Sequence, residues 1–455
     1  MRAGNAGSSS KLLQMSAPTS INRVVVINDD ATERGGAAAI ALASARLLRS
    51  RNVPITYLSG DPAGADELAR AGVQVSVLGG RHILEGSRAT AALRGLYDPT
   101  TRAALKRWMA ANDTPGTVYH LHNWHKVLSP SIFEPLRDVA FRLVISAHDY
   151  FLACPNGGYF IYPRQSPCEI RPGSLRCIAT DCDRRHYAHK LWRVVRHQMR
   201  QQVFDLHAPG AVVLTVHDGL IAHFASAGIA EQNLRTLRNP VTPWRSDRVL
   251  AEQNQDVFFV GRIDEDKGVD LLARAAQRAG VRVQLIGDGS LAAALASDYP
   301  NLQLHGWKSR EQIAEMVGNA RMVVLPTRCR ETFGLVALEA LTSGIPVIIS
   351  RFAMIADEVA QHGFGAMCDP YDEAALAETI GNLARDDERV EGMSRRAFAY
   401  AHEMAPTPAE WCGALLRLYA DRLGGGNASH SPETDRWQIG GLAGATAGGE
   451  IGDIR

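Results

Sequence analysis

From about Asn22 to Arg422, short runs of β-branched and aliphatic residues alternate with longer stretches that are apolar at helical spacing. Such alternation marks βαβ units closing parallel sheets. The first run, Val24-Val25-Val26-Ile27, feeds a polar loop, the doublet Gly35-Gly36 and an alanine-rich stretch to Ser50, which predicts strand, glycine turn and helix. Further strands are predicted at 55–58, 74–78, 118–121, 143–146 and 212–215, giving one doubly wound domain over residues 21–240. Pro240 and Pro243 lie in a segment without periodicity and mark a linker. A second series at 257–260, 283–286, 302–305, 322–325 and 347–349 predicts a second parallel sheet within residues 241–405. The expected fold class is α/β, with two doubly wound parallel-sheet domains. Residues 406–423 carry Trp411, Leu415, Leu416 and Tyr419 on one helical repeat, so this last helix needs a domain to pack on. Residues 1–20 and 424–455, rich in Gly, Ser and Ala, read as flexible extensions.

Length and composition agree with this division. A chain of 455 residues exceeds what one ordinary core organises. Hydrophobic residues at 46% and charged residues at 21% are ordinary for a globular protein, which argues against disorder and coiled coil. A net charge of +1 gives no protein-wide field for nucleic acid. No window approaches about 18 consecutive apolar residues and the N-terminus lacks an apolar signal core, so the expected location is cytoplasmic.

The segment with most chemical content is Pro326 to Pro346, PTRCRETFGLVALEALTSGIP, which leaves a strand, crosses a polar loop and enters an apolar helix stopped by Gly344 and Pro346. Glu331 precedes the helix and Glu339 follows eight residues later, about 80° around, so both can face one ligand. The first N–H groups of the helix, at Gly334, Leu335 and Val336, have no helical acceptor and lie at a positive dipole end suited to a diphosphate. Two glutamates alone would be an ordinary surface feature. Here Val336, Ala337, Leu338, Ala340 and Leu341 surround Glu339 with apolar positions, where an unpaired carboxylate is costly. Glu339 therefore suits the two hydroxyls of a ribose, and Glu331 a hydroxyl of a donor sugar.

A second loop, Val260-Gly261-Arg262-Ile263-Asp264-Glu265-Asp266-Lys267-Gly268, closes the first strand of the second domain, where open parallel sheets bind ligands. Arg262 and Lys267 would place two positive charges against a departing diphosphate; the competing reading is ordinary pairing with the three acids of the same loop. Gly35-Gly36 occupies the equivalent turn of the first domain, where a tight turn with no ligand is as fitting a reading as a ligand border. His148 ends the strand in SAHD, and His120, His122 and His125 end another, so all four point towards one crevice. Gly287 and Gly289, in LIGDGSLA, match G-x-G-x-x-A after a strand. The next strand ends at His305-Gly306-Trp307 without the acid a dinucleotide fold needs, so this turn, with Trp307, is read as touching a base or ribose.

Taken together, the glycine doublet, SAHD, VGRIDEDKG, LIGDG and ETFGLVALEALTSGIPVI resemble glycosyltransferase family 4, the retaining enzymes of GT-B fold with an E-x7-E signature. The resemblance implies two Rossmann-like domains and an interdomain cleft, the first domain binding acceptor and the second a nucleotide sugar. It implies that Arg262 and Lys267 bind the donor diphosphate, Glu331 the donor sugar and Glu339 the ribose, with His148 beneath the transferring sugar and Gly35 and Gly36 bordering the phosphate and acceptor cleft. It also implies a metal-independent hexosyl transfer with retention, a final helix that crosses back to the first domain, and a lipid-linked or oligosaccharide acceptor in cell-surface polysaccharide or glycolipid synthesis at the inner membrane face. A GT-B-fold nucleotide-sugar epimerase and a silent nucleotide-sugar-binding protein are the alternatives.

Two further features stand apart. Cys154, Cys168, Cys177 and Cys182 form an insertion over residues 154–182 that resembles one in some bacterial members. Their spacings lack a C-x2-C pair, which favours buried or free thiols over structural zinc. Arg184, Arg185, Lys190, Arg193, Arg196 and Arg200 fall in a helical stretch without acids, which could lie on anionic lipid or simply be solvated.

Overall fold

The computed structural model describes residues 21–33 and 35–424; the expected extensions, apart from Gly424, lie outside the described residues. The first domain contains strands β1 (Arg23–Asn28), β2 (Ile55–Ser59), β3 (Gln74–Val77), β4 (Thr117–Leu121) and β5 (Leu143–Ala147). A small hairpin follows, β6 (Phe160–Ile161) with β7 (Ser166–Pro167), and then β8 (Val212–Thr215) and β9 (Leu234–Thr236). Its seven-stranded sheet runs β3-β2-β1-β4-β5-β8-β9, parallel throughout. The five residues of β4 and of β5 are buried without exception, as expected of strands covered by helices on both faces.

The second domain contains β10 (Asp256–Val260), β11 (Val283–Ile286), β12 (Leu302–Leu304), β13 (Ala320–Leu325), β14 (Val347–Ser350) and β15 (Gly365–Cys368) in the order β12-β11-β10-β13-β14-β15, again all parallel. Each sheet reverses its winding between its first and fourth strands, so each has a crevice at the carboxyl ends of β1/β4 and of β10/β13. Strands β9 and β15 escape the sequence pattern because they are short edge strands with few apolar residues.

The helix Pro408–Leu423 opens with a Thr407/Glu410 capping box and Pro408 at its first turn. Its buried face, with Trp411, Leu415 and Tyr419, joins the apolar cluster of Val24, Val26, Ile40 and Leu42 in the first domain. Tyr419 reaches His120 of β4, hydroxyl to Nδ1, at 2.6 Å. Arg238, before the linker, pairs bidentately with Glu358 of the second domain at 2.7 and 2.8 Å, and His217 approaches the same carboxylate at 2.7 Å.

Candidate functional site

Three loops converge where the two crevices face each other. The loop after β13 carries Glu331, which is pinned by its backbone: its N–H donates to Phe352 at 3.2 Å and its carbonyl accepts from Met354 at 3.1 Å. The helix Leu335–Thr342 then starts at Gly334, whose φ of +81° suits glycine, and ends at Ser343 with Gly344 beyond. The loop after β10 delivers Lys267, whose Nζ lies 2.5 Å from Glu331 Oε2. Burial opposes the Lys267 charge, but the adjacent carboxylate outweighs it and raises the pKa; the same ammonium holds Glu331 below the usual carboxylate range against burial. Both groups are therefore charged at neutral pH.

Arg262 sits in the same loop, half-exposed, and pairs with Asp264 and, at 2.8 Å, with Asp266. The acids of the loop thus occupy this guanidinium, as i+2 and i+4 neighbours of one turn. Asp264 also accepts from the Ser290 amide and hydroxyl and from Arg184 of the first domain, which lies 3.2 Å away.

From the first domain, His148 follows β5 and accepts, through its carbonyl, the Thr332 hydroxyl at 2.9 Å, which sets the strand end beside Glu331. Its Nε2 meets His122 Nδ1 at 2.9 Å, the two rings stacking at 5.2 Å, while His148 Nδ1 is buried with no partner. Burial lowers the His148 pKa to about 4, so the imidazole is neutral at pH 7. His120 is committed elsewhere, to Ser146 and Tyr419. Gly36 approaches the second domain directly: a β-carbon there would stand 3.2 Å from Leu335 Cδ1 at the start of the helix.

Other expected positions lie differently. Glu339 pairs with Arg310, which also donates to the carbonyls of Thr242 and of Pro243, the latter at 3.2 Å. The two glutamates of the signature therefore rest on separate cations; burial raises the Glu339 pKa against the pull of Arg310. Trp307 is 73% exposed. Gly287 and Gly289 have an evident packing role: β-carbons there would meet the carbonyl oxygens of Gly261 and Ile263 at 1.9 and 2.4 Å, so this turn lies directly against the Arg262 loop.

The insertion has a form the spacings did not reveal. Its four cysteines line one small enclosed space with the buried Lys190, whose ammonium lies 3.5 Å from Cys177 Sγ. Among the described residues no three His, Cys, Asp or Glu side chains are arranged to hold a metal ion. The insertion and the residues just after it also clasp the second domain, through Arg184 on Asp264, Glu169 on Arg330, and the Gln165 carbonyl on the Tyr371 hydroxyl. The helix Tyr187–Val203 does not present the cationic face that the lipid reading needed. Lys190, Arg196 and Arg200 are buried, because their aliphatic stems pack inward and their charged ends meet thiols, aromatic rings or backbone carbonyls.

Sequence reasoning also missed Asp29. It is 2% exposed and accepts four backbone N–H bonds, from His125, Lys126, Val127 and Leu128, at 2.8 to 3.0 Å, so it shapes the loop after β4. An acid immediately after a buried strand was the available signal.

The fold is shared with a crystal structure of Anabaena Alr3699/HepE in complex with UDP and glucose, at TM-score 0.60 and 16% identity over 88% of this chain and 99% of that one. The architecture is GT-B. Within that GT-B chain, residues 241–400, the second domain, match the family model described as Glycosyl transferases group 1. Two curated relatives bear the name D-inositol 3-phosphate glycosyltransferase. The one from Corynebacterium efficiens is 31% identical over 180 residues, 36% of this chain and 41% of the relative. The one from Mycolicibacterium smegmatis is 32% identical over 194 residues, 40% and 43% of the two chains. The matched stretch thus spans less than half the length of either relative.

Proposed function

We propose that this chain is a glycosyltransferase that moves a hexose from a nucleoside diphosphate sugar, of UDP or GDP type, to a sugar acceptor, with retention and without a divalent metal. The observation that carries the proposal is the Lys267–Glu331 pair, set between the start of the helix Leu335–Thr342 and His148. Lys267 and Arg262, with the free N–H groups of Gly334, Leu335 and Val336, receive the diphosphate as negative charge develops on it. Arg262 then exchanges an acid of its own loop for phosphate oxygens. Glu331 holds a donor-sugar hydroxyl, Glu339 the ribose, and neutral His148 lies beneath the sugar. Attack comes from the face the leaving group departs, and a diphosphate oxygen takes the acceptor proton, so the bond to the leaving oxygen breaks as the new glycosidic bond forms. UDP is the first nucleotide to test, because the Anabaena neighbour was solved with it.

We place the acceptor in the first domain, as a lipid-linked or oligosaccharide chain of cell-surface polysaccharide or glycolipid synthesis, with the protein working at the inner membrane face. The test is to incubate UDP-glucose and GDP-mannose with the protein in excess EDTA, with and without saccharide acceptors. Acceptor-dependent nucleotide release with an α-linked product supports the reading. Epimerised donor sugar without acceptor would replace it with a nucleotide-sugar epimerase, and binding without turnover with a silent binding protein.

A further inference from the structure

The carboxyl-end loops of β3, β4 and β5 and the helix Tyr187–Val203 enclose a cavity of about 300 Å³ in the first domain. That volume stands at the low end of small-molecule sites, room for one sugar and a substituent rather than a long oligosaccharide. Its floor adjoins the candidate centre: the Phe151 ring lies 4.1 Å from that of His125, and His125 Nε2 lies 3.8 Å from the carboxylate of Asp149, the residue after His148.

The charges around this cavity are strongly one-sided. Lys126, Arg185, Arg193 and Arg196 all line it. Arg193 is paired with Asp183 at 2.8 Å, whereas among the described residues no carboxylate stands within ion-pair distance of Lys126 or Arg185. Arg196 is 6% exposed, held over Trp124 and Trp192 at 5.2 and 5.4 Å, and donates to the carbonyls of His125 and Leu128, but its buried Nε has no partner. The unsatisfied Nε of buried Arg196 is costly, and the exposed Lys126 and Arg185 at the mouth would draw in an anion to complete it. The donors come from the loop after β4, from the lead-in to the helix and from the helix itself. A spread of this kind fits a tetrahedral oxyanion with about two negative charges better than a planar carboxylate. Three acids adjoin the cavity: Asp183 pairs with Arg193, the charge of buried Asp29 attracts Arg196, and Asp149 stands on the side of His148, where a neutral hydroxyl rather than an anion would lie.

Building on the sugar-transfer reading, we propose that this cavity binds the phosphate ester of a phosphorylated acceptor sugar and thereby turns the sugar's attacking hydroxyl towards His148. The phosphate belongs either to a free sugar phosphate, a monoester with about two negative charges, or to the bridge of a prenyl-linked sugar, a diester with one; both present tetrahedral phosphate oxygens.

The full chain, saturated with UDP to occupy the donor side, is titrated calorimetrically with glucose, glucose 6-phosphate and farnesyl phosphoglucose in micelles. The expected result is binding of at least one phosphorylated probe, tenfold or more tighter than glucose, weakened tenfold or more in Lys126→Ala/Arg185→Ala, and partly restored in Lys126→Arg/Arg185→Lys. Preference for the micellar probe assigns the phosphate to a lipid carrier, and preference for glucose 6-phosphate to a soluble acceptor. Phosphorylated probes that bind no tighter than glucose, or equally well to the alanine variant, overturn the proposal. The donor reading is scored separately by UDP protection against thermal unfolding: its absence beside intact sugar-phosphate binding defeats only that reading.

Discussion

The hydroxyl of Thr332 donates to the backbone carbonyl of His148 across the interdomain cleft at 2.9 Å. One hydrogen bond thereby joins the loop that ends β13 to the end of β5, and makes His148 and Glu331 neighbours although 182 positions part them along the chain.

Arg184 is the residue through which the first domain reaches Asp264, and Asp264 orients Arg262. Arg184→Ala should raise the donor KM about two- to fivefold, the size of an exposed ion pair, with the unfolding midpoint almost unchanged. Steady-state kinetics checks it; a fall confined to kcat would remove Arg184 from donor positioning.

The approach of Gly36 to Leu335 leaves no room for a branched side chain. Gly36→Ala should be tolerated, since the tip of Leu335 can shift. Gly36→Val should cut transfer about tenfold or more by pushing the helix start from the cleft, and Leu335→Ala in the same chain should restore part of it. A double-mutant cycle on kcat/KM decides, and strict additivity would show that the two residues do not meet in the active form.

Gly287 carries a φ of +137°, and a β-carbon there would overlap the Gly261 carbonyl at 1.9 Å. Gly287→Ala should therefore cost about 2 kcal/mol or more, from overpacking and backbone strain together. Urea unfolding measures this. A loss of donor affinity at full stability would instead place Gly287 on the nucleotide.

Burial holds the folded-state pKa of His120 at about 3 and that of His148 at about 4. In the unfolded chain both bind protons from near pH 6.5, so between about pH 6.5 and 4 acid favours the unfolded state. Stability should be level above pH 7 and fall steadily as pH drops through that window. Asp149, raised by burial to about 6, acts in the opposite sense below pH 6, so Asp149→Asn should steepen the fall. Unfolding midpoints across the pH series test the sign, and a stability that rises on acidification would contradict it.

Both parallel sheets were legible in the sequence because their central strands are buried runs with glycine turns between them. The edge strands β9 and β15 were not, since an edge needs little apolar surface. The Arg262–Lys267 loop and the helix Leu335–Thr342 announced themselves through charged residues beside apolar elements. Their pairings did not, because Lys267 with Glu331 and Arg310 with Glu339 are contacts between loops remote in sequence. The cysteine insertion shows the limit from the other side. Spacing alone gave buried or free thiols without their grouping; the chain closes all four round Lys190, a residue that helical pattern had placed on a solvent or lipid face.

The proposed transfer depends on one step, the holding of a nucleoside diphosphate by Lys267, Arg262 and the start of the helix Leu335–Thr342 without a divalent ion. Its most direct test is thermal unfolding with UDP, GDP and ADP in excess EDTA, for the natural chain and for Lys267→Ala. At least one nucleotide should raise the midpoint of the natural chain in EDTA, and Lys267→Ala should abolish most of this shift. Protection that appears only with added magnesium, or that survives the substitution intact, would contradict it.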